Sequence, residues 1–171
     1  MSNEVLVIRA IKGDEHAFYS LVSEQKEQLY RIAYSYLKNQ GDALEAIQEV
    51  TYRAYKAIGK LKEPKYFHTW LIRIMMNYCR DELRKQKRYS SQADYVLELA
   101  IHEDSYERLE IEEAVDALDE RSQQVIKMKY FLDYKIKDIA EVMECPEGTV
   151  KTWLHKALQS LRNQLQVKGG S

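Results

Sequence analysis

Residues able to act as acids, bases, nucleophiles or metal ligands are present but scattered. His16, His68, His102 and His155 each lack a Cys, Asp or Glu partner at a convincing ligand spacing. Cys79 and Cys145 form no CxxC pair, so neither a disulfide framework nor a zinc site is indicated. Asp81 and Glu82 are neighbours in sequence, and on a helix neighbouring carboxylates point in different directions, which makes a poor acid–base pair. No Gly-rich phosphate loop occurs. The residue types favour recognition over catalysis. No cofactor, metal or small-molecule substrate is expected.

Three groups at helical spacing carry that recognition. Thr149, Lys151, Thr152, His155, Lys156 and Gln159 fall opposite an apolar stripe of Val150, Leu154, Ala157, Leu158 and Leu161, and could meet phosphates or base edges. Arg73, Asn77, Arg80, Arg84 and Lys85 share the polar face of another segment, preceded by Lys60, Lys62 and Lys65. Interleaving with Tyr66, Phe67 and Tyr78 suits single-stranded nucleic acid, where cations meet phosphates and rings stack on bases. Phe67 and Trp70 can equally be core, and for Trp70 core packing is preferred. Asp81 amid this face would orient Arg84 or Lys85. The third group, Asp42, Glu45, Gln48 and Glu49, recurs at three and four residues along one flank. Asp42 and Glu45 would also be favoured by a helix N-terminus.

The elements that position these groups are expected to be helices. Six Gly and two Pro in 171 residues are too few for a turn-rich β protein, and good helix formers abound. No apolar run approaches the roughly 20 residues that span a bilayer. The Met1-Ser2-Asn3-Glu4 start lacks the features of a signal peptide, so a cytoplasmic, reducing location is expected. Periodicity predicts a short helix carrying Val5, Ile8 and Ile11 that stops at Gly13. A longer one follows, capped by Asp14, carrying Phe18, Leu21, Leu29 and Ile32, and ended by Gly41. A third, capped by Asp42, stops at Gly59. After a loop around Pro64, a fourth from about Tyr66 to Gln86 buries Phe67, Trp70, Leu71, Ile74 and Tyr78.

Residues 89–105 read as a linker, expected to be flexible, and helices resume from Tyr106, then at about 121–131, 135–143 and 146–165. In the last pair, Ile136, Ile139, Ala140 and Met143 face a turn at Cys145-Pro146, and Val150 packs back. That is the pattern of a helix-turn-helix, whose second helix enters a major groove. The chain is therefore expected to be all-α: a helical domain over 1–88, an acidic linker over 89–105 and a helix-turn-helix domain over 106–171.

Charge follows the same division. Residues 53–89 hold eleven basic and three acidic side chains, 90–120 hold one and eleven, and 121–171 hold nine and five. Two basic blocks separated by an acidic one do not look like a single uniform surface, and the alternation disfavours reading them as plain solvated helix faces.

The motifs resemble a family. Ala117-Leu-Asp-Glu-Arg-Ser-Gln-Gln-Val-Ile-Lys-Met-Lys-Tyr-Phe131, then Ile139-Ala-Glu141, Gly148-Thr-Val-Lys151 and Leu154-His-Lys-Ala157, resemble the C-terminal domain of extracytoplasmic-function sigma factors. Gly13-Asp-Glu-His-Ala-Phe18, Asp42-Ala-Leu-Glu-Ala-Ile-Gln-Glu49 and the run from Phe67 to Arg84 resemble the same family's N-terminal half. The match runs in order along nearly the whole chain except the linker. It departs at Glu144, where a turn Gly is common, at Trp153, where many members have Arg, at Leu61, where some have an aromatic, and at Asp119, where Pro is common.

The resemblance implies a promoter-specific transcription initiation factor of a stress response. Asp42, Glu45, Gln48 and Glu49 would dock on the coiled coil of the largest subunit of RNA polymerase core. Lys60, Leu61, Lys62, Tyr66, Arg73, Asn77, Arg80, Arg84 and Lys85 would melt and hold the minus-ten element of promoter DNA. Leu61, Lys62 and Asn77 would surround one flipped base. Thr149, Lys151, Thr152, His155 and Lys156 would read the minus-thirty-five duplex. Members are often held by an anti-sigma factor, frequently membrane-anchored. The alternative is a stand-alone helix-turn-helix operator-binding regulator, which needs neither the acidic Gln-Glu helix nor the basic aromatic one.

Overall fold

The structure, a computed structural model, describes residues 3–90 and 103–169. The expected linker therefore lies mostly outside the described residues. The chain divides into two compact units, Met1–Ala93 and Asp94–Ser171. Among the described residues all regular structure is helical.

In the first unit α1 (Asn3–Ile11) stops at Gly13, whose positive φ of 103° suits a residue without Cβ. Asp14 then caps α2 (Glu15–Glu24), its carboxylate accepting from the Ala17 N–H at 3.1 Å and from Arg9 at 2.6 and 2.9 Å. The long second helix expected from Asp14 to Gly41 is two helices: the chain breaks at Gln25 (φ −101°, ψ 3°), and α3 spans Lys26–Leu37. α3 ends on Lys38, held left-handed at φ 55°.

Two expectations at the next helix are corrected. α4 spans Gln40–Ala57, so Gly41 does not end the preceding helix and Asp42 is not the cap. The cap is Asn39, whose extended backbone lets Oδ1 accept from the Asp42 N–H at 2.9 Å. Gly41 suits its place there, since a Cβ would come within 3.2 Å of that capping oxygen. Two 3₁₀ turns, Ile58–Lys60 and Pro64–Tyr66, lead into α5 (Phe67–Ser90), which ends four residues later than expected.

α3, α4 and α5 pack around Leu29, Ile32, Ala33, Ala43, Ala46, Val50, Ala54, Leu71, Ile72, Met75 and Cys79, all fully buried. The small α4 residues let its neighbours approach closely, while each large buried side chain contributes roughly 1.5–3 kcal/mol. Trp70 and Ile74, expected in this core, are only half-buried, and Ile72, Met75 and Met76 take that role.

In the second unit α6 spans Glu103–Asp116 and α7 Glu120–Ile126. The Gln123 side-chain amide donates to the carbonyls of Asp116 and Leu118 at 2.8 and 2.7 Å, closing the end of α6. The helix expected over 121–131 is α-helical only to Ile126. A π-helical turn, Lys127–Phe131, follows, with the Leu132 N–H reaching the Lys127 carbonyl. Lys127 is 1% exposed, its ammonium 3.5 Å from Asp116. α8 (Ile136–Met143) and α9 (Glu147–Gly169) complete the unit, with Ile139 and Val150 fully buried.

Candidate nucleic-acid interface

The turn between α8 and α9 shows how the sequence builds a recognition helix. Glu144 takes a left-handed conformation (φ 53°, ψ 50°), and its N–H and that of Cys145 return to the Ala140 carbonyl. Pro146 then accepts from the N–H groups of Thr149 and Val150, starting α9. Val150, Leu154 and Ala157 anchor α9 from below. Lys151, Thr152, His155, Lys156 and Gln159 are exposed on the far side, and Thr149 is half-buried at its edge. The Thr152 hydroxyl donates to the Gly148 carbonyl at 3.1 Å, leaving its oxygen lone pairs to accept.

The basic face of the first unit is also gathered. Asn77, Arg84 and Lys85 are exposed on α5, Arg73 and Arg80 half-buried beside them, and Arg80 donates to the Asn77 side-chain oxygen Oδ1. Asp81 lies 3.7 Å from Arg84 and Glu82 3.5 Å from Lys85, so the acidic residues here orient cations, as expected of Asp81. Lys60 and Lys62 are exposed and Leu61 half-buried in the preceding loop. The aromatic part of the expectation is corrected. Phe67 and Tyr78 are 3% and 7% exposed, too buried to stack on bases, because both face the α3–α4–α5 core. Of the three rings only Tyr66, 43% exposed with the Lys65 ammonium over it, remains available.

On α4, Glu45 and Gln48 are exposed, while Asp42 and Glu49 are half-buried. One partner in this group was not legible in the sequence. Arg53 binds the Glu49 carboxylate at 3.0 Å and lies over the Tyr78 ring of α5 at 5.1 Å. The Tyr78 phenol is pushed up to about 12 by burial, then by the negative charges of Glu82, Glu45 and Glu49. The acidic group and the basic helix therefore adjoin through Tyr78 and Arg53. Among the described residues no group of three or more His, Cys, Asp or Glu could hold a metal ion, and no helix is long and apolar enough to cross a membrane.

An all-helical chain of two units, the second ending in a helix-turn-helix with an exposed polar row, is a protein of the DNA-binding class. Its residues 21–89 match the family model for sigma-70 region 2, and residues 108–161 match that for sigma-70 region 4. The chain is 35% identical to RNA polymerase sigma factor SigV of Bacillus subtilis, covering 84% of this chain and 88% of that one. It is 31% identical to ECF RNA polymerase sigma factor SigW of the same organism, covering 91% and 92%. With the ECF RNA polymerase sigma-E factor of Escherichia coli it shares 26% identity over 97% and 95%. Two solved structures share the fold. CnrH, in complex with the cytosolic domain of CnrY, matches with a TM-score of 0.71 at 22% identity, covering 96% of this chain and 97% of that one. RpoE of Bartonella quintana, in complex with the anti-sigma factor NepR, matches with a TM-score of 0.62 at 20% identity, covering 88% and 97%.

The chain belongs to the ECF sigma factors and directs RNA polymerase in transcription initiation. A stand-alone operator regulator would have no use for a region 2 over residues 21–89.

Proposed function

We propose that the two units divide promoter recognition. The first, residues 1–88, docks on polymerase core through Asp42, Glu45, Gln48 and Glu49, where charge complementary to the largest-subunit coiled coil would orient association. It holds the melted minus-ten strand on Lys60, Leu61, Lys62, Tyr66, Arg73, Asn77, Arg80, Arg84 and Lys85. Residues 106–171 read the minus-thirty-five duplex through Thr149, Lys151, Thr152, His155 and Lys156. Extruding a base costs a few kcal/mol, which contacts from Leu61, Lys62 and Asn77 would offset. The protein works in the cytoplasm, catalyses no reaction of its own and is restrained by an anti-sigma partner, as RpoE of Bartonella quintana is bound by NepR.

The observation that carries this reading is the exposed row on α9, Lys151, Thr152, His155 and Lys156, seated on the buried Val150, Leu154 and Ala157. Alanine at Lys151, Thr152 or His155 should weaken the specific duplex by about 1–3 kcal/mol for a residue making a good base contact, and relax preference at one base pair. Lys156→Ala should lower affinity evenly across sequences. Equal, sequence-independent losses at all four positions would mean that none reads a base.

A further inference from the structure

Arg121 belongs to none of the three recognition groups. It sits in the first turn of α7, exposed, with its guanidinium carbon 4.5 Å from the centre of the Trp153 ring on α9. Trp153 is half-buried and stands four residues after Thr149 and three before Lys156, so the three form one line along the flank of the recognition helix. The charge of Arg121 also reaches the turn, where it opposes the upward push that burial gives the Cys145 thiol. Among the described residues no carboxylate forms an ion pair with Arg121. An aromatic ring holds a cation beside the recognition helix through the face of its guanidinium, and among the described residues its in-plane N–H donors meet no carboxylate.

A helix seated in a major groove is bordered on both sides by phosphates, and its flanks meet them while its outer face meets bases. We propose that Arg121 grips a backbone phosphate bordering the minus-thirty-five duplex, with Trp153 as the platform that holds its guanidinium beside Thr149 and Lys156. Arginine suits this task because its planar fork stacks on an indole through one face and donates in its own plane to phosphate oxygens. The contact carries no sequence information. It fixes the depth and register at which Lys151, Thr152 and His155 meet base edges. The inference rests on α9 being the helix that reads the duplex.

The test uses the full chain assembled with core polymerase. A duplex enriched by that complex from a random-sequence pool serves as the probe, together with its single-base-pair variants. One lost phosphate contact removes about 0.9 from the slope of log affinity against log salt. Arg121→Ala should therefore bind about eight-fold more weakly at 0.1 M salt and converge on wild type as salt nears 1 M, equally for the enriched duplex and its variants. Arg121→Lys should keep most of the slope. Thermal unfolding of both variants separates binding from packing. If Arg121→Ala leaves the slope unchanged, the residue only covers Trp153 and the proposal is overturned. A loss confined to one base pair would overturn it as well, since a base contact would then be involved. Failure of the underlying reading looks different: Lys151→Ala, Thr152→Ala and His155→Ala would all leave binding of the enriched duplex intact.

Discussion

Replacing Glu144 by Gly should stabilise the helix-turn-helix unit, although it removes a side chain. Glu144 is exposed at φ 53°, ψ 50°, and its N–H and that of Cys145 close the end of α8 on the Ala140 carbonyl. A left-handed conformation costs an L-residue roughly 1–2 kcal/mol through the approach of Cβ to its own backbone, and Gly avoids that cost. The greater freedom of Gly in the unfolded chain takes back part of the gain, leaving about 1 kcal/mol. In a domain of 60–100 residues that raises the midpoint by roughly 4–8 °C. A negative charge at a helix C-terminus also opposes the helix dipole. Glu144→Ala removes the same charge and side chain but keeps the strained Cβ, and therefore isolates the backbone effect. The assay is thermal unfolding followed by Trp153 fluorescence in a Trp70→Phe background, since these are the chain's two tryptophans and only Trp153 lies in the second unit. Glu144→Gly should unfold several degrees above Glu144→Ala. Coincident midpoints would refute the strain argument.

Reversing charge with Glu45→Lys and Glu49→Lys should abolish binding to core polymerase in a titration without unfolding the chain; unchanged affinity would remove this face from the interface. Glu45 should contribute more, because Arg53 already engages Glu49. Asp14 is held below the ordinary carboxylate range first by the Ala17 N–H and then by Arg9. A carboxyl with a lowered folded pKa stabilises above its unfolded pKa and loses that contribution as pH falls. Asp14→Asn should therefore be less stable than wild type at pH 7, and the gap in urea midpoints should close as pH drops below 3.8. Lys127→Met should unfold within about 1 kcal/mol of wild type or above it, because the apolar stem is retained and the buried charge removed. Lys127→Ala should lose about 2–4 kcal/mol to the cavity, and equal losses in the two would mean that the ammonium itself is the stabilising group.

Much of this architecture was legible because it follows helical periodicity and turn chemistry. Ile139 and Val150 on either side of Cys145-Pro146 predicted the helix-turn-helix, and both are fully buried. The break at Gln25 was illegible, since neither Gly nor Pro marks it. At α4 two residues competent to cap, Asn39 and Asp42, stand three apart, and only the backbone angles select Asn39. Lys38 and Glu144 take left-handed conformations that their residue types do not announce. Phe67 and Tyr78 were ambiguous because an aromatic at helical spacing serves core and base stacking equally well; burial assigns them to the core. Contacts between distant residues, Arg53 with Tyr78 and Arg121 with Trp153, follow from no spacing rule.

This chain should confer promoter choice on polymerase. The most direct measurement combines the purified protein with bacterial core enzyme on fragmented genomic DNA and maps the 5′ ends of the transcripts. Discrete start sites absent with core alone should appear, each preceded by the same two sequence elements at constant spacing. Start sites no different from those of core alone, from a chain that nonetheless binds duplex DNA by itself, would contradict the account.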